Sequence, residues 1–181
     1  DLYCSLLRQA VSTLKGEKVK PRLEVALRLE FVTTRESEAA PEPAHAPVTA
    51  RHGKPAPAPA PAGPPRAPAF LPASYIADSP SRIQAYRRLN EVITQEQLDQ
   101  LRKTWRDRFG PLSPPVENLV TMTEIKLSAA ARKFTSVEVK DEKVMLQRNN
   151  DYVLLGSKFP RLSARDPAEK LRELLALVRS F

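Results

Sequence analysis

Apolar positions along this chain of 181 residues change period several times, and each change marks an element. Leu98, Leu101, Trp105 and Phe109 recur at helical spacing and form one stripe, which predicts a helix over 95–109. Thr94 before it is a good N-cap, with Gln97 as its capping-box partner, and Ile93 and Leu98 are spaced for a hydrophobic staple. Gly110 can enter the left-handed cap and Pro111 cannot continue the ladder, so the helix ends there. Ser113-Pro114-Pro115 opens a further helix, predicted to run from Pro114 to about Phe134. Its apolar side holds Val116, Leu119, Val120, Leu127, Ala130, Ala131 and Phe134.

Other stretches follow the same logic. Residues 1–16 read as a helix, with Leu2, Leu6, Leu7, Ala10, Val11 and Leu14 on one face and Gly16 at its end. Over 22–32 the period drops to two: Leu23, Val25, Leu27, Leu29 and Phe31 alternate with charged residues, a strand with one buried face. Ser79 and Pro80 read as N-cap and first residue of a helix whose apolar face is Ile83, Tyr86, Leu89, Val92 and Ile93. Short strands are expected at Ser136–Lys140, around Val144 and Leu146, and at Tyr152–Leu155, with turns at Asp141-Glu142-Lys143 and Asn149-Asn150-Asp151. Asp166-Pro167 opens a last helix carrying Leu171, Leu174, Leu175 and Val178. The predicted class is α+β, a helical block packed beside a small antiparallel sheet.

Composition changes this picture in one place. Of the 18 Pro in the chain, most lie in 35–69, which includes the alternating PAPAPAPAGPP. That segment has almost no large apolar side chains to offset its ordering entropy, so it reads as a disordered linker of polyproline II character. Fully extended, it reaches on the order of 100 Å. It divides the chain into 1–34, the linker 35–69 and a domain at 70–181. The chain begins at Asp1 inside a predicted helix, which reads as a fragment of something longer.

Charge and chemistry narrow the function classes. The formal net charge is +8, with basic and acidic residues interspersed, which reads as a solvated surface more than a nucleic-acid footprint. Cys4 is the one cysteine, so no disulfide forms within the chain, and a reduced cytoplasmic setting is expected. No apolar run approaches the roughly 20 residues of a membrane span. There is no phosphate loop, GxGxxG, HExxH or CxxC motif, and His45 and His52 are lone histidines in the linker. The expectation is a non-catalytic chain with no metal or cofactor of its own. Trp105 has the chemistry to stack on a base, but its register places it in the core. Off the stripe stand Arg102, Arg106, Asp107 and Arg108, either a solvated face or a charged patch that docks a partner.

Two motifs carry a resemblance. TQEQLDQLRKTWRDRFGPLSPPVENLV, preceded by Tyr75-Ile76-Ala77-Asp78, Arg82, Tyr86, Arg88 and Leu89, resembles the C-terminal domain of the bacterial transcription-repair coupling factor family. DLYCSLLRQAVSTLKG looks like the stretch that follows the family's translocase motor. The likeness covers 1–32 and 70–135. Thr104 stands where the family usually has an acidic residue, Trp105-Arg106 replaces a common Leu-Ile pair, and the Pro-rich insertion is unusual.

The resemblance implies a role. Full-length members are ATP-driven duplex-DNA translocases that bind stalled RNA polymerase and recruit UvrA. Their C-terminal domain docks on a UvrB-like module of the same protein, hides its UvrA-binding surface and restrains the motor. Carried over, Asp107 and Arg108 would face the UvrB-like module, with Thr104, Arg102 and Arg106 beside them; the motor and its ATP site lie outside this chain. The alternative from the residues alone is a basic DNA-binding module in which Arg102, Lys103, Arg106, Arg108, Arg132 and Lys133 contact phosphates.

Overall fold

A computed structural model of the protein describes residues 25–35, 65–149 and 151–181. The predicted helix at 1–16, Cys4, the start of the first predicted strand, and His45 and His52 with most of the Pro-rich segment lie outside the described residues. The elements in chain order are β1 (Ala26–Leu29), β2 (Val32–Thr33), β3 (Ala67–Pro68), α1 (Ser79–Asn90), α2 (Gln95–Phe109), α3 (Pro114–Ala131), β4 (Ser136–Lys140), β5 (Lys143–Arg148), β6 (Asp151–Val153) and α4 (Pro167–Ser180). The class is α+β, as the patterning predicts.

The sheet is mixed, where an antiparallel one is expected from the sequence. Its strand order is β1-β4-β5-β6. β4, β5 and β6 form an antiparallel meander, but β1 lies parallel to β4, from Ala26 opposite Ser136 to Leu29 opposite Val139. Alternation within one strand carries no information on the direction of its neighbour, and the long helical crossover between β1 and β4 allows a parallel pair. The strand predicted over 22–32 is also divided. It turns at Glu30-Phe31, and β2 pairs with β3 in a separate two-stranded ribbon. β3 comes from the end of the stretch read as linker. Ala67 and Ala69 are almost fully buried, and their N–H groups donate to Phe31 O and Thr33 O. The turn chemistry is local and follows the prediction. Asp141 and Glu142 both adopt positive φ, 47° and 65°, as a two-residue hairpin loop with the twist of its strands requires.

Two apolar clusters share α3. Ile125 and Ala129 face the sheet together with Val137, Val139, Val144, Leu146, Leu171, Leu174 and Val178. Val116, Val120 and Leu127 face α1 and α2 together with Ile76, Ala85, Leu89, Leu98, Leu101 and Trp105. The one-sided stripe expected for α3 is therefore incomplete: Ala131 is exposed, and Ile125 and Ala129 are buried on the second side. α3 ends at Ala131, not Phe134. Lys133 takes φ 61°, its N–H bonds Ala130 O, and the Phe134 N–H reaches back to Ala129 O. This is a Schellman close that turns Phe134 into the core.

Caps fix the other helix ends. α1 is capped by Asp78, one residue before the expected Ser79, through its carboxylate and the Ser81 N–H at 2.8 Å. Ile83, expected on the apolar face, is 53% exposed, and Ala85 and Leu89 take the buried positions. Asp166 caps α4 by accepting from Ala168 N and Glu169 N. Two turns on, Glu173 accepts from Ser163 N, Ser163 Oγ and Ala164 N, which pins the approach to the helix. Burial raises the Glu173 carboxyl, but the bonds from Ser163 and Ala164 and the Lys170 charge outweigh it and hold the group below its ordinary 4.5. The ionised form therefore stabilises the fold above the unfolded value. That contribution disappears as pH falls through 4.5 and on through the lowered folded value. The expected result is that Glu173→Gln lowers the urea midpoint near neutral pH and that the gap to wild type narrows progressively as pH falls below 4.5. A gap that persists in acid would refute the role.

Candidate docking surface

α2 is held at both ends by residues of the motifs. At its start the Thr94 hydroxyl accepts from Gln97 N at 3.3 Å, and Gln97 Oε1 accepts from Ile93 N at 2.9 Å. At its end Gly110 adopts φ +85°, ψ −168°, a conformation that an L side chain would strain, although no atom lies within 4 Å of where a Cβ would stand. The Tyr75 hydroxyl is shared between Trp105 O and Gly110 O, each at 3.2 Å, and so ties the segment before α1 to the end of α2. Burial pushes this phenol above its ordinary 10.0, against the Arg106 charge, which keeps it a donor. The Tyr75 and Phe109 rings pack at 5.8 Å.

Most of the earlier motif is spent in the same way. Ile76 is 2% exposed, Asp78 caps α1, Arg82 Nη1 donates to Ile76 O at 2.7 Å, and the Tyr86 hydroxyl accepts from Leu71 N at 2.7 Å. These residues fix the angle between α1 and α2. They have little left to offer a partner.

With α2 so fixed, its 3.6-residue period decides where the five predicted site residues point. Leu98, Leu101 and Trp105 face the core, Trp105 with 2% exposure. Thr104, Asp107 and Arg108 stand at i, i+3 and i+4 and share one flank. Thr104 and Arg108 border a shallow groove against α1, lined also by Ser81, Gln84 and Arg88. Arg102 and Arg106 lie on the other flank, in a cleft with Asn118, Thr121 and Arg172. The structure thus brings three of the five together and separates two.

The members of the first group differ in freedom. Arg108 lies over the Phe109 ring at 5.2 Å. The Thr104 hydroxyl donates to Gln100 O at 2.9 Å. Asp107 is exposed and makes no hydrogen bond or ion pair among the described residues. Arg88 and Gln84, one turn apart on α1, extend the surface. In the sequence Arg88 stands out only as part of a motif; its i, i+4 spacing from Gln84 is the signal that places it on this surface.

The family model of the TRCF domain matches residues 66–154. Those residues are a TRCF domain. The chain is 36% identical over 148 residues to the transcription-repair-coupling factor of Staphylococcus haemolyticus, across 80% of this chain and 9% of that protein. It is 26% identical over 102 residues to that of Haemophilus influenzae, across 56% of this chain and 9% of the relative. The chain therefore spans about a tenth of the length of these relatives. A crystal structure of the C-terminal domain of transcription-repair coupling factor aligns at TM-score 0.48 and 18% identity, over 62% of this chain and 89% of that one. The TRCF match includes α1, α2 and the groove between them. Among the described residues, no helix is long and apolar enough to cross a membrane, and no group of three His, Cys, Asp or Glu is placed to hold a metal ion.

Proposed function

We propose that this TRCF domain is a non-catalytic regulatory module of a transcription-coupled repair translocase. It docks on a UvrB-like module of the same protein through Thr104, Asp107 and Arg108. Docked, it masks the UvrA-binding surface and restrains the ATP-driven motor, whose further partners are RNA polymerase and duplex DNA. The observation that carries this reading is the contrast within the motifs. Tyr75, Ile76, Asp78, Arg82, Tyr86 and Trp105 are consumed by the fold, whereas Asp107 is exposed and unpaired among the described residues. An exposed carboxylate between Arg108 and Lys103 suits a complementary charged partner better than it suits stability.

The reading as a basic DNA-binding module has less support in its original form. Its six cations do not share a face: Arg102 and Arg106 line one cleft, Arg108 lies over Phe109 on the other flank, and Arg132 donates to Arg179 O and Ser128 O. Calorimetric titration of the full chain with a purified UvrB-like module tests the docking reading. Asp107→Arg is expected to weaken binding at least about tenfold, or ~1.4 kcal/mol, with an unchanged unfolding midpoint. Unchanged affinity would sink the assignment.

A further inference from the structure

The flank of α2 that faces away from the docking surface carries chemistry that the docking reading does not use. Arg102 and Arg106 from α2 meet Arg172 from α4 across a polar cleft of about 220 Å³ floored by Asn118 and Thr121 of α3. A water occupies ~30 Å³, so the cleft has room for a tetrahedral oxyanion. The Arg106 and Arg172 side chains are exposed and make no hydrogen bond or ion pair among the described residues. Arg102 reaches Glu124 only at 3.9 Å, and its Nε is buried without an acceptor.

The charge balance is one-sided. Glu117 is the single carboxylate on the lining. Glu124, just beyond it, is bound by Arg179 at 2.5 Å. Three guanidiniums against one carboxylate leave an excess of two positive charges, which matches a phosphate near −2 better than a single carboxylate. Guanidinium forks also suit the several acceptor oxygens of a phosphate. The N-terminal N–H groups of α4 are already taken by Asp166, so the donors here are the arginines.

We propose that the cleft between α2 and α4 binds a phosphate group through Arg102, Arg106 and Arg172. This does not rest on the docking reading, because it uses the opposite flank of α2. Two sources offer that chemistry, a free phosphate or the backbone of a nucleic acid. The test is an NMR titration of the full chain with sodium pyrophosphate and, in parallel, with a short duplex DNA. The expected result is saturable movement of the Arg102, Arg106 and Arg172 Nε–H signals. The double variant Arg106→Gln/Arg172→Gln should lose at least about tenfold in affinity, and Lys140→Gln, at the exposed end of β4, should bind as wild type. Response to pyrophosphate alone assigns a free phosphate. Response to DNA through the same three arginines, with a log–log salt slope of roughly −2 to −3, assigns a backbone. The proposal is overturned if none of the three signals moves with either ligand, or if the double variant binds as tightly as wild type. The wild-type signals decide the matter even if a variant does not fold.

Discussion

Trp105→Ala is expected to remove about 3–5 kcal/mol of folding stability, the largest loss of any single truncation on α2. The indole is 2% exposed and belongs to the cluster that joins α1, α2 and α3. Truncation removes the transfer energy of the ring and leaves a cavity that Leu98, Leu101, Ala85 and Val116 cannot close without moving helix backbones. The damage spreads, because the Trp105 carbonyl is also an anchor for Tyr75. Urea unfolding followed by circular dichroism measures the effect, and the melting midpoint should fall on the order of 10 °C. A loss below about 1 kcal/mol would mean that α2 is not seated on this residue.

Glu124→Ala is the second large effect, expected at about 3 kcal/mol. The Glu124 side chain is 12% exposed and sits where three helices meet. It accepts from Arg179 at 2.5 Å and from Gln95 Nε2 at 3.2 Å, and Arg102 lies at 3.9 Å. Its removal leaves cations facing one another with no counter-charge, the costly way to break a partly buried network. Arg179 is half exposed and can swing to water, whereas the buried Nε of Arg102 cannot. The pair Glu124→Met/Arg102→Met is therefore expected to be more stable than Glu124→Ala alone. Chemical denaturation of the three proteins checks this. If the double variant is the weaker one, the network is not electrostatic in origin.

What the sequence made legible was local. The Thr94 cap, the Asp141-Glu142 turn, the Asp166-Pro167 start of α4 and the burial of Trp105 all depend on a few neighbouring residues, and all are present. The parallel partner of β1 was hidden because strand direction depends on a crossover of about a hundred residues. β3 was hidden because Ala67 and Ala69 are buried through their smallness, with no large apolar residue to mark a strand. The double burial of α3 is not legible as one stripe, because Ile125 and Ala129 lie on its second side. The candidate site was half legible. Helical spacing groups Thr104, Asp107 and Arg108 from sequence alone. Only the packed neighbours reveal that Arg102 and Arg106 belong with Arg172 of α4, sixty-six residues beyond Arg106 in the chain. The motif residues carry a further lesson. A recognisable pattern marks both fold and surface, and here Tyr75, Asp78, Arg82 and Tyr86 serve the fold.

The central claim is that one flank of α2, and not the other, meets the UvrB-like module. The most direct measurement is the affinity of the full chain for that module with Asp107→Arg and Arg106→Glu compared side by side. Both are charge reversals on exposed residues one position apart but of opposite sign, so a general electrostatic effect moves the two affinities in opposite directions, whereas a local contact at Asp107 moves one alone. The account predicts a loss of at least about tenfold for Asp107→Arg and a change within about twofold for Arg106→Glu. Equal losses for the two, or wild-type binding by Asp107→Arg, would contradict it.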